Sequence, residues 1–103
     1  MLVTPAKHPL ARRRGGVDFT EALAHGFVAL DDASALQQLL NLQAQRHGRR
    51  LHARVRLRSF DSVAALVAAG VGIAVLPQVT AQRLAALHKL RIVPLNDAWA
   101  TRR

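Results

Sequence analysis

The chain has 103 residues, half of them apolar, and carries 15 Lys and Arg against six Asp and Glu, with no cysteine. This length suits one domain, and the lack of cysteine excludes disulfides and thiolate metal sites. The longest apolar run is broken by two glycines and falls short of the roughly 20 residues of a membrane span. The basic start lacks the apolar segment of a signal peptide, so we expect a cytoplasmic protein with no membrane partner.

The chain opens with a strand and a short helix. Residues 2–4 are typical of a strand end, and an irregular connector follows them. An amphipathic helix opens at residues 17–18 and runs to about His25, because Asp18 or Thr20 can cap its first turn.

A second strand and helix follow directly. The apolar residues 27–30 predict a short strand, and "DDAS" supplies a turn rich in capping residues. Asp32 or Ser34 begins a long helix that ends at Gly48. Leucines form a wide apolar face on this helix, and polar side chains surround the edges of that face: Gln37, Gln38, Gln45 and Arg46.

The third strand alternates strictly in "HARVRLRS", residues 52–59. One face is apolar and the other is basic, with Ala53, Val55 and Leu57 set against His52, Arg54, Arg56 and Arg58. A period of two predicts a strand with one face open to solvent or to a partner. Like charges about 7 Å apart repel one another unless solvent, an anion or an acidic partner receives them, and the pattern leaves these three options open.

Two more helices and two more strands complete the order. Ser59 or Asp61 caps the next helix, which Gly70 ends. The remaining elements are a strand over "GIAVLP", a helix from about Thr80 and a last strand over residues 91–95.

Alternating strands and helices without a hairpin signal predict an α/β layer with a largely parallel sheet. In such sheets, ligands lie beyond the carboxyl ends of the strands, where helix N-termini offer free N–H groups. This rule marks residues 31–35, residues 59–62 and the neighbourhood of Pro77 as one side of a ligand cleft. Arg58 borders the same cleft and could meet an anionic ligand.

Catalytic and metal-binding patterns are missing from the sequence. The five histidines lack zinc-motif spacing, and the six acidic residues form no obvious acid–base pair. Gly70 and Gly72 stand between a helix and a following strand, which is the reverse of the order in a phosphate loop. We therefore expect no enzyme activity, no metal and no cofactor. Nucleic-acid binding stays open, because the net charge is +9 and "ARRRGG" could be a recognition tail or a solvated loop.

A family resemblance is carried by four segments in the right order: "HPLARR", "VDFTEALAHGFVALDDASALQQLL", "RSFDSVAALVAAGVGIAVLPQ" and "LRIVPLNDAWATRR". Together they cover essentially the whole chain, which resembles the effector-binding domain of LysR-type transcriptional regulators. The most specific element runs from Ser59 to Pro77, with "VPL" at the expected distance after it.

The resemblance implies a type II, periplasmic-binding-protein-like fold, in which two α/β subdomains hold a small-molecule effector between them. The chain is similar to the second subdomain alone, a half-domain with a mostly parallel sheet flanked by helices. Residues 1–16 would be the crossover strand and connector, residues 17–95 the effector-binding subdomain, and residues 96–103 a truncated return segment. DNA binding in the family uses a helix-turn-helix domain, which we expect to lie outside this chain.

Matching motif positions assign residue roles by the same resemblance. The effector-facing candidates at the two strand-to-helix turns are Asp32, Ala33, Ser34, Ser59, Phe60 and Asp61, beside Arg58 at the cleft border. Phe60 could equally be a core aromatic. The resemblance implies a dimer surface on one strand and one helix, formed by Phe27, Val28, Leu36, Leu39 and Leu40. If the leucine stripe is exposed, it predicts self-association.

The leading hypothesis is therefore that the chain is part of a LysR-type regulator, which binds a small-molecule effector to control transcription. Ligand would bias closure of the two subdomains and so shift the geometry of a dimer on DNA. Two alternatives stay open. One is a stand-alone basic protein that binds nucleic acid through Arg12 to Arg14 and the strand arginines, with affinity that falls steeply with salt. The other is a fragment of a solute-binding transport protein, which has the same fold.

Overall fold

The computed structural model describes residues 1–101, so residues 102 and 103 of the expected return segment lie outside the described residues. The strands are β1 (Leu2–Thr4), β2 (Phe27–Leu30), β3 (Ala53–Leu57), β4 (Ala74–Val75) and β5 (Arg91–Val93). The α-helices are α1 (Phe19–Ala22), α2 (Ala35–Arg46), α3 (Phe60–Ala68) and α4 (Gln78–His88). Short 3₁₀ helices cover Pro9–Arg12 and Ala98–Thr101.

Backbone pairing joins the strands in the order β3–β2–β4–β1–β5. β2 and β3 pair in parallel, and an isolated parallel bridge between Phe27 and Ile73 links β2 to the residues just before β4. β1 pairs antiparallel with both β4 and β5. All strands except β1 therefore run in one direction, which confirms the predicted α/β class. The antiparallel strand inside the sheet was not predicted.

The sheet buries both of its faces. Successive residues of a strand point to opposite sides, so Leu2 and Phe27 join a cluster with side chains of α1 and α2. Val3 and Val28 join a second cluster with α3 and α4. In the first cluster the rings of Phe19 and Phe27 meet edge to face with their centroids 6.4 Å apart. We call these two groups the α1/α2 cluster and the α3/α4 cluster.

Serine side chains start α2 and α3, at two of the predicted cap positions. Ser34 Oγ accepts a hydrogen bond from the Gln37 N–H at 3.3 Å, and Ser59 Oγ accepts one from the Ser62 N–H at 3.1 Å. Each bond satisfies an N–H group that has no carbonyl partner within its own helix. Of the caps that the sequence left open for α2 and α3, the serines are the ones used, and Asp18 is the N-cap residue of α1.

Two helix boundaries differ from the prediction. α4 begins at Gln78 rather than Thr80. The Pro77 carbonyl already accepts a helical hydrogen bond at 2.7 Å, and a proline at a helix start loses no hydrogen bond. α1 ends at Ala22 rather than near His25, because the residues after it continue in tighter turns with bonds between residues three apart.

The predicted faces of α2 need correction. Gln37 was expected at the edge of the apolar face but is buried, because its side-chain oxygen accepts the Leu30 N–H at 3.1 Å. Leu40 is 2% exposed, whereas Leu39 and Leu42 are 36% and 47% exposed. The buried side of the helix therefore includes one satisfied amide, and part of the leucine face lies open.

A β-bulge breaks the predicted alternation in β3. The pairing with β2 shifts between Ala53 and Val55, which leaves Arg54 as the extra residue. Ala53 consequently packs against the α1/α2 cluster, while Val55 and Leu57 pack against the α3/α4 cluster. The three apolar residues do not share one face, as the pattern had predicted, although each is more buried than the arginines between them.

Gly72 allows two backbone segments to approach closely, and Gly26 leaves room for a side chain. A Cβ atom on Gly72 would fall 2.7 Å from the Gly26 carbonyl oxygen, and a Cβ atom on Gly26 would overlap the Arg54 side chain. Gly70 has a different role, since its φ of +85° follows the end of α3 as predicted. Of the two glycines after α3, Gly70 thus ends the helix and Gly72 allows the close contact with Gly26.

Candidate functional site

The parallel strands β2 and β3 end side by side, and each leads into a helix. The Asp31 N–H donates to the Leu57 carbonyl at 3.0 Å, which ties the turn after β2 to the end of β3. The N-termini of α2 and α3 therefore open on the same edge of the sheet, as the rule for parallel sheets predicts. The structure brings together the two predicted turns, residues 31–35 and residues 59–62, with Arg58 beside them.

The first turn, residues 31–34, is held by its own hydrogen bonds. The Asp31 carboxylate accepts the Ala33 N–H at 3.1 Å, and the Asp31 carbonyl accepts the Ser34 N–H at 3.1 Å. Asp32 and Ala33 are exposed at the tip of the turn. The turn therefore presents a fixed backbone at the start of a 12-residue helix, where the helix dipole favours an anion.

The second turn, residues 58–61, contains a hydroxyl pair and a half-buried ring. The Ser59 hydroxyl donates to Ser62 Oγ at 2.9 Å, while its oxygen accepts the Ser62 N–H. Phe60 is half-buried and packs against the α3/α4 cluster. Its packing role is thereby established, and contact with an effector stays a prediction.

Three ion pairs lie at this edge: Arg56–Asp32 at 3.0 Å, Arg83–Asp61 at 3.4 Å and Arg58–Asp31 at 4.0 Å. Two of the three alternating arginines of β3 thus meet acidic partners within the chain. The Arg58 side chain is 93% exposed, and its ion pair is the longest of the three. It is therefore the arginine at this edge with the most freedom to turn toward an added anion.

Three residues of the predicted dimer surface are interior. Phe27, Val28 and Leu40 are between 1% and 2% exposed, because β2 is an inner strand of the sheet and Leu40 joins the α1/α2 cluster. Of the same list, Leu36 is half-buried and Leu39 is exposed. Only these two can contribute to a contact with another molecule, and pairing between copies stays a prediction.

An apolar groove of about 870 Å³ lies beyond the ends of β4 and β5. Its lining includes Leu36, Leu39, Pro77, Val79 and Trp99. Sequence reasoning marked the neighbourhood of Pro77 from its place after a strand but gave Trp99 no role. The Trp99 Nε1 atom is buried and has no hydrogen-bond partner within the described residues. The sequence signal for this groove was Trp99, the single tryptophan, which stands in the segment after the last strand.

Neither a metal-binding cluster nor a membrane-spanning helix is present among the described residues. Among residues 1–101, no group of three or more His, Cys, Asp or Glu side chains could hold a metal ion. No helix in that range is long and apolar enough to span a membrane. The His8 and His25 rings do meet, with their centroids 4.7 Å apart, but they form a pair rather than a cluster.

A comparison with protein families supplies the deciding observation. The family described as the LysR substrate binding domain matches residues 1–103, which is the entire chain. The chain belongs to this family. The resemblance carried by the four segments is confirmed, together with the periplasmic-binding-protein-like α/β fold. The LysR substrate binding domain is an effector-binding domain of transcriptional regulators and is not typically enzymatic. No curated protein is significantly similar to the chain.

Solved LysR-type structures are similar to this chain. The effector binding domain of QuiR in complex with shikimate has 18% identity and a TM-score of 0.82, over 93% of this chain and 44% of that chain. The BenM effector binding domain with its effector benzoate has 26% identity and a TM-score of 0.81, over 97% and 46%. The CcmR regulatory domain of Synechocystis PCC6803 in complex with 2-PG has 24% identity and a TM-score of 0.79, over 92% and 45%.

These LysR-type relatives differ from the chain in length and sequence. The chain spans less than half of each of the three related chains. The QuiR and CcmR domains are less than 25% identical to it, so their likeness concerns the fold alone. What a whole LysR-type protein senses and regulates is therefore a proposal for this chain.

Proposed function

We propose that this chain forms one side of a small-molecule effector site in a LysR-type transcriptional regulator. The family match over the whole chain carries the proposal, and the two capped turns that open together beyond β2 and β3 support it. Effector binding would control transcription by shifting the equilibrium between conformations of the regulator. The protein would act in the cytoplasm, and it would be a binding module rather than an enzyme. The family match favours this role over a solute-binding transport protein.

The effector would meet backbone and side-chain groups of both turns: Asp32, Ala33, Ser34, Arg58, Ser59, Phe60 and Asp61. N–H groups at the starts of α2 and α3 suit an anionic group, because they point out along the helix dipoles. Arg58 would add a charge-assisted hydrogen bond. Benzoate, the effector named for the BenM domain, is a carboxylate, which supports an anionic effector.

The remaining parts of the chain would support this site. We propose residues 17–95 as the effector-binding subdomain, residues 1–16 as a crossover strand and connector, and the residues after 95 as a return segment. Sequence-specific DNA contact would come from a helix-turn-helix domain outside these residues. Copies of the protein would associate, with Leu36 and Leu39 contributing to the contact, and sedimentation of a Leu39→Lys variant at several concentrations would test that contribution.

A titration followed by NMR tests the effector site directly. Benzoate and shikimate are added to the labelled chain up to about 50 mM, a range that detects the weak binding of an open half-site. We expect the backbone amide signals of residues 31–34 and 58–61 to move together with each ligand. An Arg58→Gln variant should bind about tenfold more weakly, because a charge-assisted hydrogen bond is lost.

The matched control is Arg91→Gln, since Arg91 is also exposed but begins β5 and so lies at the opposite edge of the sheet. Its affinity should equal that of the unmodified chain. Movement confined to residues outside the two turns, equal weakening by both variants, or no movement at all would contradict the proposal.

A further inference from the structure

One segment of the chain contains basic side chains without acidic ones. Between Ala33 and Phe60 there is no Asp or Glu, yet the segment holds six arginines and two histidines. Two of the arginines, Arg56 and Arg58, have partners in the turn after β2. The other four make no ion pair within residues 1–101: Arg46, Arg49, Arg50 and Arg54. This segment thus carries uncompensated positive charge, and two of its unpaired arginines, Arg49 and Arg50, line one groove.

A groove of about 520 Å³ runs through this basic region. Asn41 and Gln45 of α2 form one of its walls, Arg56 and Asp32 lie at one end, and Arg49 and Arg50 lie beside Leu51 in the connection to β3. We call it the basic groove. The Asp32 carboxylate engages Arg56 at 3.0 Å, so negative charge is present at one end only. The end at Arg49 and Arg50 offers two exposed guanidinium groups to an incoming anion.

The lining of the basic groove fits phosphate better than it fits a protein surface. Arginine presents a planar set of N–H donors that matches phosphate oxygens, and side-chain amides such as those of Asn41 and Gln45 can add donors. Protein interfaces have an apolar core. None of the exposed large apolar side chains, which are Leu39, Leu42, Val79 and Leu87, lines this groove. Interfaces with nucleic acids are more polar and more positively charged.

We propose that the basic groove, which shares Asp32 with the effector site, binds the phosphodiester backbone of a nucleic acid at its other end, through Arg49 and Arg50. Binding would be electrostatic, because the groove supplies guanidinium and amide groups without an aromatic ring for base stacking. Such a surface would hold the protein on nucleic acid without reading its sequence.

The test measures binding of the whole chain to a short labelled DNA duplex, a DNA single strand and an RNA duplex by fluorescence anisotropy. Salt is varied from about 50 to about 300 mM, because the slope of log affinity against log salt counts phosphate contacts. An Arg49→Gln/Arg50→Gln double variant should lower the magnitude of that slope by about 2, and its affinity should fall about tenfold near 100 mM salt. The comparison of the three nucleic acids identifies which source of phosphodiester is preferred.

The matched control is the Arg12→Gln/Arg14→Gln double variant. Both of its positions are exposed and without an ion pair within the described residues, and it removes the same two charges from a net charge of +9. Its slope should stay within about 0.5 of the unmodified chain. Equal losses in both variants would show a general charge effect and would overturn the basic groove as the site. Absence of binding to all three nucleic acids, or equally strong competition by polyglutamate, would also overturn it.

Discussion

The side-chain oxygen of Gln37 accepts the backbone N–H of Leu30 at 3.1 Å and so takes the place of a neighbouring strand. Two residues earlier, the Val28 N–H donates to the Ile73 carbonyl at 2.8 Å. Alternate N–H groups of a strand point to the same side, so Leu30 would need a partner where the sheet opens toward the site. Gln37 supplies it, and the Gln37 amide then donates to Asn41 Oδ1 at 2.9 Å.

Replacing this buried amide should be costly. Gln37→Leu leaves the Leu30 N–H without its partner, so we expect the free energy of unfolding to fall by about 2 to 3 kcal/mol. Urea unfolding followed by circular dichroism measures the change. Gln45→Leu is the control, since Gln45 is exposed on the same helix, and it should stay within about 0.5 kcal/mol. Equal losses would mean that the Leu30 contact is unimportant.

The contact between Gly26 and Gly72 predicts an order of severity for alanine substitutions. Gly72→Ala forces a Cβ atom against a carbonyl oxygen of the backbone, which cannot swing away, so unfolding free energy should fall by about 2 to 3 kcal/mol. Gly26→Ala should cost less, because the atom it meets belongs to the flexible Arg54 side chain.

The double variant Gly26→Ala/Arg54→Ala tests that reason. Removing the Arg54 side chain should recover the stability lost by Gly26→Ala, as measured in a thermodynamic cycle of unfolding free energies. Without that recovery, the contact with Arg54 would not be the source of the loss.

The cap of α3 makes a third prediction. Ser59→Ala should lower the free energy of unfolding by about 1 kcal/mol, because the Ser62 N–H loses its acceptor. Ser59→Asn should preserve most of the stability, since asparagine is also a strong cap. Ser62→Ala removes the neighbouring hydroxyl but leaves the cap acceptor in place, so thermal unfolding should show a smaller loss. A greater loss from Ser62→Ala than from Ser59→Ala would contradict the capping role.

The pH dependence of stability should contain a contribution from His8. Burial, and secondly the charge of the neighbouring His25, lower the pKa of His8 below its ordinary value. The unfolded chain then binds the proton more tightly, so stability rises with pH between the lowered pKa and about 6.5. Protonation would also remove the Nδ1 acceptor that receives the Leu10 N–H at 3.1 Å.

Melting temperatures measured between about pH 5 and about pH 8 test this contribution. The His8→Asn variant keeps an oxygen acceptor for the Leu10 N–H but does not titrate. Its melting temperature should change less across that range than the melting temperature of the unmodified chain. Parallel curves for the two proteins would refute a role for His8.

Local chemistry could be predicted from the sequence because it acts over a few residues. Ser34 and Ser59 were among the expected caps, since a cap bonds an N–H two or three positions ahead. Gly70 was expected to end α3 for a similar reason, because glycine adopts positive φ at little steric cost. The turns that make up the candidate site are built from such contacts, which is why their residues were found together.

Contacts across long sequence separations could not be predicted in the same way. The Asp97 carboxylate accepts the Phe19 N–H at 2.8 Å, so α1 is capped by a residue 78 positions later in the chain. The bulge at Arg54 depends on the pairing of two strands, and the burial of Gln37 depends on a gap in the sheet. Hydrophobic periodicity contains no information about these contacts, since it reports only which side of an element faces the core.

The place of β1 inside the sheet has a consequence for how the chain folds. Leu2 pairs with Val75 and with Val93, so β1 has to wait for residues more than 70 positions later in the chain. Closing such large loops costs chain entropy before any stabilising contact has formed, and this cost slows folding. During synthesis this apolar strand has two unpaired edges, which makes the nascent chain dependent on rapid completion or on chaperones to escape aggregation.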